Sequence, residues 1–329
     1  MPPVATPVAV RAITWDAALA ETLAQAANAA DAPSVMTRVR PESRSGSARR
    51  HRVHSVHRRA VNLRIADGLV ALVSPDLEDA PATVRVPVDD WTTLPVQPGD
   101  EVWIGSDGLR IETAHGPIAV LTGAASPWLP AGVCLCDLSP ARLRRAEEII
   151  GRTPAPSAQT TFGRLAATML SQSTGALETA LRCGDPSAIT RAAIPLLGLG
   201  EGLTPSGDDI LTGVAFLSAQ RGMRLHGAHG SLAAALDAGA ERTTMLSAAA
   251  IRHALHARAP LSLHVLMQAL RDGDATRIDA AARRVAGIGH TSGTDLLTGV
   301  RLALRTEAAL RTAPLPATPR SGIFQKEHV

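Results

Sequence analysis

The chain has 329 residues, of which 45% are hydrophobic and 19% are charged, and its formal net charge is +3. This composition supports one large domain or two smaller ones and excludes a mainly disordered chain. Lys326 is the only lysine and tyrosine is absent, which excludes chemistry that needs a P-loop lysine, a Schiff-base lysine or a catalytic tyrosine. Aromatic residues make up only 2% of the chain, which argues against stacking surfaces for single-stranded nucleic acid.

The N-terminal region, residues 1–51, is predicted to hold a helix and a flexible basic segment. Residues 1–12 are rich in Pro, Val and Ala and are expected to be loose, and residues 13–31 are expected to be helical. The stretch from Arg38 to Arg59 carries eight arginines and three histidines against one acid. Such a run is most often a solvated loop, with an anion-docking or partner-docking surface as the alternative. No DNA-binding motif accompanies it.

The cysteines and the apolar runs indicate the compartment. Cys134, Cys136 and Cys183 form neither a disulfide framework nor a metal-ligand pattern. We therefore expect buried, inert thiols in a reducing compartment. The N-terminus lacks the pattern of a signal peptide, and no apolar run is long enough to span a bilayer. The sequence thus predicts a cytoplasmic protein with no membrane or nucleic-acid partner.

Residues 52–130 alternate short β-type runs with turn signals. The spacing of these runs, with Asp107-Gly108 as one of the intervening turns, predicts a small, mostly antiparallel sheet or barrel. The runs are Val61–Ile65, Leu69–Val73, Thr83–Val86, Glu101–Ile104, Leu109–Glu112 and Ile118–Leu121.

Residues 131–312 are predicted to form a multi-helix domain. Ser139, followed by proline, is typical of a helix start, and Gly151 is typical of its end. A short Pro/Ala/Ser linker at Thr153–Ser157 precedes an Ala/Leu/Arg-rich region of helical periodicity. The tail, residues 313–329, is predicted to be disordered. The predicted class is therefore α+β, an N-terminal antiparallel β-rich barrel-like domain followed by helices.

The helical region contains an internal repeat. Ser206–Val214 reads SGDDILTGV and Ser292–Val300 reads SGTDLLTGV, so seven of nine positions are identical at an offset of 86 (292 − 206). A G-x-G precedes each copy, at Gly198–Gly200 and at Gly287–Gly289. The repeat predicts two pseudo-equivalent helices. A glycine at the eighth position of each copy predicts that these helices cross closely, because glycine inside a helix otherwise costs about 1 kcal/mol.

Each Gly-rich loop leads into a helix N-terminus, where unpaired amides and the helix dipole can bind an anion. The pattern S-x-x-D predicts a capping box in each copy, from Ser206 to Asp209 and from Ser292 to Asp295. Two well-capped helix starts without a ligand are the alternative. In the first copy Asp208 adds a carboxylate beyond what a cap needs, which suits a polar ligand or Mg²⁺ beside an anion.

A polar cluster lies between the two copies. On a predicted helix, Thr243 and Ser247 lie on one face, and Thr244 lies next to that face. Arg242 could bind phosphate or carboxylate through two hydrogen bonds. Hydroxyls that bond back to the helix backbone are the alternative. His290 follows the second G-x-G and is a candidate acid–base, with an ordinary loop histidine as the alternative.

The segment Gly198–Asp209, GLGEGLTPSGDD, resembles the G-x-G-x-G-L-T-P-S-G-D-D signature of the AllH family. The resemblance extends to Arg242–Ser247 and to Ser55–Asn62, and it covers residues 53–310. Glu201 departs from the family pattern, in which a small residue or proline is expected. An acid that pointed inward there would disturb an anion site. The family is associated with bacterial oxamate carbamoyltransferase, as one of three unlike subunits in anaerobic allantoin degradation.

The resemblance implies the reaction oxalurate + phosphate ⇌ oxamate + carbamoyl phosphate, in a complex of this chain with unlike protein subunits. The candidate catalytic residues are Asp208, Asp209 and His290. No cofactor is firmly indicated, although the acidic loop could hold Mg²⁺. A non-catalytic scaffold or binding subunit and a stand-alone enzyme on a small carboxylate or amide are the alternatives. The candidate ligands of a small anionic substrate (carbamoyl phosphate, oxamate or oxalurate) are Gly198, Gly200, Gly202, Thr204, Ser206, Gly207, Arg242, Thr243, Thr244, Ser247, Thr291, Ser292 and Asp295.

Overall fold

A computed structural model of the chain describes residues 8–26, 51–66, 68–154 and 161–313. None of the helices in these ranges is both long and apolar enough to cross a membrane. The strands are β1 (Val8–Arg11), β2 (Thr14–Asp16), β3 (His51–His57), β4 (Ala60–Ile65), β5 (Gly68–Val73), β6 (Thr83–Arg85), β7 (Glu101–Gly105), β8 (Gly108–Thr113), β9 (Gly116–Leu121) and β10 (Ser126–Trp128). The helices are α1 (Leu19–Ala26), α2 (Pro140–Ile150), α3 (Thr161–Cys183), α4 (Pro186–Ala193), α5 (Ser206–Ser218), α6 (His229–Ala238), α7 (Met245–Leu255), α8 (Leu261–Asp272), α9 (Ala275–Ala286) and α10 (Ser292–Thr312).

The strands form one curled sheet in the order β1-β9-β8-β7-β3-β4-β5-β6-β2-β10. β1 and β2 are separated in the chain only by residues 12–13, yet they lie near opposite ends of this order. The sheet therefore has to curl until its two ends approach each other. Hydrogen bonds from the Ala12 amide to the Leu121 carbonyl (2.9 Å) and from the Ser126 amide to the Ile13 carbonyl (3.1 Å) continue the β1–β9 and β2–β10 pairings into these connecting residues.

The predicted α+β class and the barrel-like sheet are confirmed. All six predicted strands are present, as β4 to β9, and their inward side chains, such as Leu63, Leu72 and Ile111, are fully buried together with Trp91. The sheet is mixed rather than purely antiparallel, because three of the nine pairings between the described strands are parallel.

The structure corrects the prediction for the N-terminal region. Residues 8–11, expected to be loose, form β1 and pair with β9. Within residues 13–31, expected to be helical, β2 precedes the helix α1. β3 lies in the basic stretch, where a loop was expected, and it pairs with β4 and β7. Short strands gain their stability from partners that are distant in the chain, which a local pattern does not reveal. Residues 27–50 and the tail, residues 314–329, lie outside the described residues.

α5 is the central helix of the helical part, and α10 packs along it. Every residue of α5 from Gly207 to Ser218 is buried. At the crossing, a Cβ on Gly213 would overlap the Leu296 carbonyl oxygen, and a Cβ on Gly299 would overlap that of Ile210. The predicted close crossing of two pseudo-equivalent helices is therefore confirmed.

Buried polar contacts join the β-rich part to the helices. Asp16 of β2 is 1% exposed and forms an ion pair with Arg258, which follows α7. Glu78 accepts hydrogen bonds from the amide and the hydroxyl of Ser262, at 3.0 and 2.7 Å, in the first turn of α8. α8 has no side-chain cap at its own N-cap residue, so Glu78 caps it from the β-rich part and fixes the orientation of the helix.

The expectation of buried, inert thiols is wrong. Cys134 and Cys136 form a disulfide in the segment that leads from the sheet to α2, and Cys183 is an exposed thiol at the end of α3. Leu135 lies between the paired cysteines and is 1% exposed. Because Leu135 occupies the core, the flanking cysteines lie further out, which the apolar composition of the segment did not indicate.

Candidate functional site

The two repeat copies meet at the N-termini of α5 and α10. Each loop contains the equivalent backbone hydrogen bond. The Gly207 amide donates to the Leu199 carbonyl (2.8 Å) in the first copy, and the Gly293 amide donates to the Ile288 carbonyl (3.0 Å) in the second. Each acceptor is the middle residue of its G-x-G. The two Gly-rich loops therefore approach their helices in the same way, as the repeat predicts.

The predicted capping boxes are absent. α5 begins at Ser206 with Pro205 as the N-cap residue, α10 begins at Ser292 with Thr291 as the N-cap residue, and neither N-cap residue has a side-chain cap. First-turn amides donate instead to the carbonyls of Pro205 and Thr291, at 2.9–3.2 Å. Because the serines lie inside the helices, their hydroxyls can face the other copy.

Polar side chains of the two copies face each other. Thr204 Oγ1 and Ser292 Oγ lie 2.9 Å apart. Burial raises the pKa of both Asp209 and Asp295, and a hydroxyl of the opposite copy opposes each shift: Ser292 acts on Asp209, and Ser206 acts on Asp295. Since the exchange is reciprocal, both copies contribute to one polar site.

Asp209 lies at the centre of this site. Burial raises the pKa of Asp209 to about 7; hydrogen bonds from Ser292 and Thr204 oppose the shift, and the charges of Asp295 and Asp208 add to it. Asp209 is 7% exposed, and its Oδ2 receives no hydrogen bond from the described residues. The same holds for Oδ2 of Asp295. The site therefore contains two buried carboxylate oxygens that lack donors in the described part of the chain.

Asp208 is placed differently. The Gly198 amide donates to its Oδ1 (2.9 Å), and the Thr243 hydroxyl donates to its Oδ2 (2.7 Å). Gly198 has a φ of +71°, and a Cβ there would overlap the Arg242 carbonyl oxygen, so the position requires glycine. Burial raises the pKa of Asp208, and these two hydrogen bonds oppose the shift. Its contacts are those of a residue that positions the loop, and its catalytic role stays a prediction.

The segment that contains Arg242 is not the helix that was predicted. Thr243 is extended and α7 begins after Thr244, whose Oγ1 accepts a hydrogen bond from the Ser247 amide (3.1 Å). Thr244 is therefore an N-cap residue, and its hydroxyl also donates to the Leu203 carbonyl (3.0 Å). Ser247 is buried and faces Asp208. The Arg242 side chain is exposed and forms no ion pair with any described residue.

The remaining predicted residues lie at the edge of the site. Gly200 packs against Ser206, with a φ of +126°. Gly202 and Glu201 are exposed, so Glu201 does not disturb the interior of the site. His290 is also exposed and has no side-chain hydrogen bond to the described residues. The structure therefore brings Ser206 into the polar site but places Glu201 and His290 outside it.

The sequence interpretation missed an apolar rim beside the site, formed by Leu203 and Met245. Leu203 is 58% exposed and Met245 is 39% exposed. The two residues are linked through Thr244, which bonds to the Leu203 carbonyl and precedes Met245 in the chain. Single apolar residues in a polar segment give no sequence signal of this kind. Only their exposure in the folded chain identifies them.

The expectation that the acidic loop could hold Mg²⁺ stays a prediction. In the ranges that the structure describes, no three His, Cys, Asp or Glu side chains are arranged to hold a metal ion.

These features define an α+β protein in which a pseudo-symmetric pair of helices carries one buried site of carboxylates and hydroxyls. Residues 12–126 match the model of the AllH family N-terminal domain, and residues 196–304 match that of oxamate carbamoyltransferase subunit AllH. The chain belongs to the AllH family. The second match contains both copies of the repeat. No solved structure matches the chain.

Proposed function

We propose that this chain is a subunit of a carbamoyltransferase, that it assembles with unlike protein subunits, and that the paired N-termini of α5 and α10 bind an oxamate-class substrate. The description of the family supports the transferase subunit. The observation that carries the site is the direct contact between the copies, in which Thr204 Oγ1 and Ser292 Oγ lie 2.9 Å apart beside the buried Oδ2 atoms of Asp209 and Asp295.

The reaction needs a proton at one defined atom. In oxalurate phosphorolysis, the bond between the carbamoyl carbon and the oxamate nitrogen breaks, and a phosphate oxygen bonds to the carbamoyl carbon. The proton of hydrogen phosphate ends on the oxamate nitrogen. A group that exchanges protons near neutral pH can relay it. Asp209 suits this role, because burial raises its pKa to about 7.

The exposed rim of the site, Leu203 and Met245, indicates where an unlike subunit would bind. Transfer to phosphate rather than to water requires a covered site, whereas Leu203 and Met245 lie exposed beside the carboxylates. We assign this rim, together with the exposed Arg242, to the contact with an unlike subunit. Apolar residues flanked by an arginine are common at the centres of such interfaces.

The test begins with the composition of the complex. The chain is tagged in its native host, purified under mild conditions and assayed for oxalurate phosphorolysis. We expect unlike subunits to copurify and the Asp209→Asn variant to lower kcat by about 100-fold or more.

Asp279→Asn is the matched control, because Asp279 is a partly exposed carboxylate of α9 that is paired with Arg283 and lies outside the polar site. This variant should keep full turnover. Recovery of the tagged chain alone would contradict the subunit proposal. An intact complex in which Asp209→Asn turns over normally would reduce this chain to a scaffold.

A further inference from the structure

The helix N-termini at the site are poorly suited to bind an anion, although their sequence predicts an anion site. The amides of residues 207–209 and 293–295 already donate to carbonyl oxygens of the preceding loops, at 2.8–3.2 Å. The Gly198 amide donates to Asp208. Phosphate binding at a helix N-terminus depends on free amides, and the first turns of α5 and α10 leave few of them.

The charged side chains at the site also disfavour phosphate. The side chains that act on the pKa of Asp209 are two hydroxyls and two further carboxylates, those of Asp295 and Asp208. The pKa of Asp295 responds to burial and to the hydroxyls of Ser206 and Thr291. No arginine is among these groups. An incoming phosphate would therefore meet negative charge, whereas a hydrogen-bond donor would meet acceptors.

Two acceptors in the site lack donors. Oδ2 of Asp209 and Oδ2 of Asp295 are buried and receive no hydrogen bond from the described residues. A buried acceptor without a donor costs about 1–3 kcal/mol. Pseudo-symmetry supplies the two acceptors as a pair, one from each copy. A primary amide carries two N–H donors on one nitrogen, which matches the number of acceptors without donors.

We propose that the Asp209–Asp295 pair binds the –NH₂ group of a small carboxamide or ureido acid whose own carboxylate lies away from the pair, and that phosphate binds elsewhere in the assembled enzyme. This inference rests on the proposed function only for the choice of oxamate as the probe. It also fits the proton step. A carboxylate that accepts an N–H bond from oxamate can take that proton when oxamate is carbamoylated, and can give it back to the same nitrogen during phosphorolysis.

The test compares two ligands that differ at one group. Oxamate and pyruvate have nearly the same shape, but pyruvate has a methyl group where oxamate has –NH₂. Their affinities for the full chain and for the purified complex are measured by calorimetry, with inorganic phosphate as a competitor. We expect pyruvate to bind at least about 10-fold more weakly, since it leaves both acceptors unpaired. Phosphate should not displace oxamate.

The variants locate the effect. Asp209→Asn and Asp295→Asn should each abolish most of the preference for oxamate, and Asp279→Asn should retain it. If either site variant fails to fold, the ligand comparison on the unaltered protein still decides the inference. Equal affinity for oxamate and pyruvate, displacement of oxamate by phosphate, or no oxamate binding to chain or complex would each overturn it.

The two proposals can fail separately. An active complex that binds oxamate and pyruvate equally would refute the amide site and leave the transferase function intact. A chain that discriminates the two ligands but forms no complex and catalyses no phosphorolysis would support the amide site and refute the proposed function.

Discussion

The two copies of the repeat show which of their residues serve the shared site and which serve local surroundings. Asp209 and Asp295 are the same residue in both copies, and each faces the other copy. Asp208 and its counterpart Thr294 differ. Asp208 bonds to the Gly198 amide and to the Thr243 hydroxyl, whereas Thr294 bonds to a carbonyl of its own turn. Asp209 and Asp295 therefore meet at the pseudo-symmetric centre, whereas Asp208, which has no counterpart carboxylate, anchors the first copy to the rest of the fold.

The two Gly-rich loops also differ, since only the first is long enough to reach residues outside its own copy. The first copy has three extra residues between its G-x-G and its serine, and these bring Leu203 to Thr244 and Thr204 to Ser292. The second loop is shorter and has no corresponding bond to α7 among the described residues. The first copy therefore links the site to α7 and to the exposed rim, while the second completes the carboxylate pair.

The largest loss of stability is expected from substitutions at the crossing of α5 and α10. Gly213→Ala should destabilise the fold by roughly 3–5 kcal/mol, because a Cβ there would overlap the Leu296 carbonyl oxygen and the two helices would have to separate. Gly299→Ala should cost a similar amount, since its Cβ would overlap the Ile210 carbonyl oxygen. Urea denaturation of the purified variants measures both effects.

Gly175→Ala in α3 is the control for this prediction. Gly175 is exposed, and a Cβ there would meet nothing within 4 Å. The substitution should therefore stabilise the protein by about 0.5–1 kcal/mol through the usual helix preference of alanine. If Gly213→Ala and Gly175→Ala behave alike, the close crossing is wrong.

The next largest expected loss of stability differs between the two copies, at the equivalent positions Asp208 and Thr294. Asp208→Ala should cost about 2–4 kcal/mol, because it removes a buried carboxylate that accepts from the partly buried Gly198 amide and Thr243 hydroxyl. Thr294→Ala removes only a hydroxyl that bonds back to its own turn and should cost less than about 1 kcal/mol. The same denaturation assay measures both variants. Equal losses would mean that Asp208 does not hold the first loop.

Sequence reasoning went furthest where a local pattern had one structural meaning. The β-type runs between turns became β4 to β9, and the glycine in each copy of the repeat marked the helix crossing. The repeat also identified Asp208 as a carboxylate without a counterpart in the second copy. Its structural meaning, a bond that anchors the first loop, needed the contacts with Gly198 and Thr243.

The other features depended on contacts between distant parts of the chain. β1 and β2 exist because β9 and β6 supply partners, and no local pattern shows that. The predicted capping boxes failed because Pro205 and Thr291 take the N-cap positions, which shifts each serine into its helix. The burial that raises the pKa of Asp209 comes from the packing of α5 and α10, and it is likewise absent from the sequence.

The smallest effect concerns pH. Because burial raises the pKa of Asp209 from its ordinary value of 3.8 to about 7, the folded protein binds this proton more tightly than the unfolded chain. The contribution of Asp209 to stability is complete below the unfolded pKa and is lost as the pH rises through about 7. The unaltered protein should therefore lose roughly 1–3 kcal/mol between pH 4 and pH 8 relative to Asp209→Asn, which cannot ionise.

Asp279→Asn, a carboxylate variant outside the polar site, is the control for this pH measurement. Asp295 contributes in the same direction as Asp209, since burial raises its pKa too. Asp209→Asn removes the negative charge facing Asp295, so the double variant should be flatter in pH than either single variant but by less than the sum of their effects. Strictly additive effects would mean that the two carboxylates titrate independently, and the reciprocal site would then be two separate helix ends.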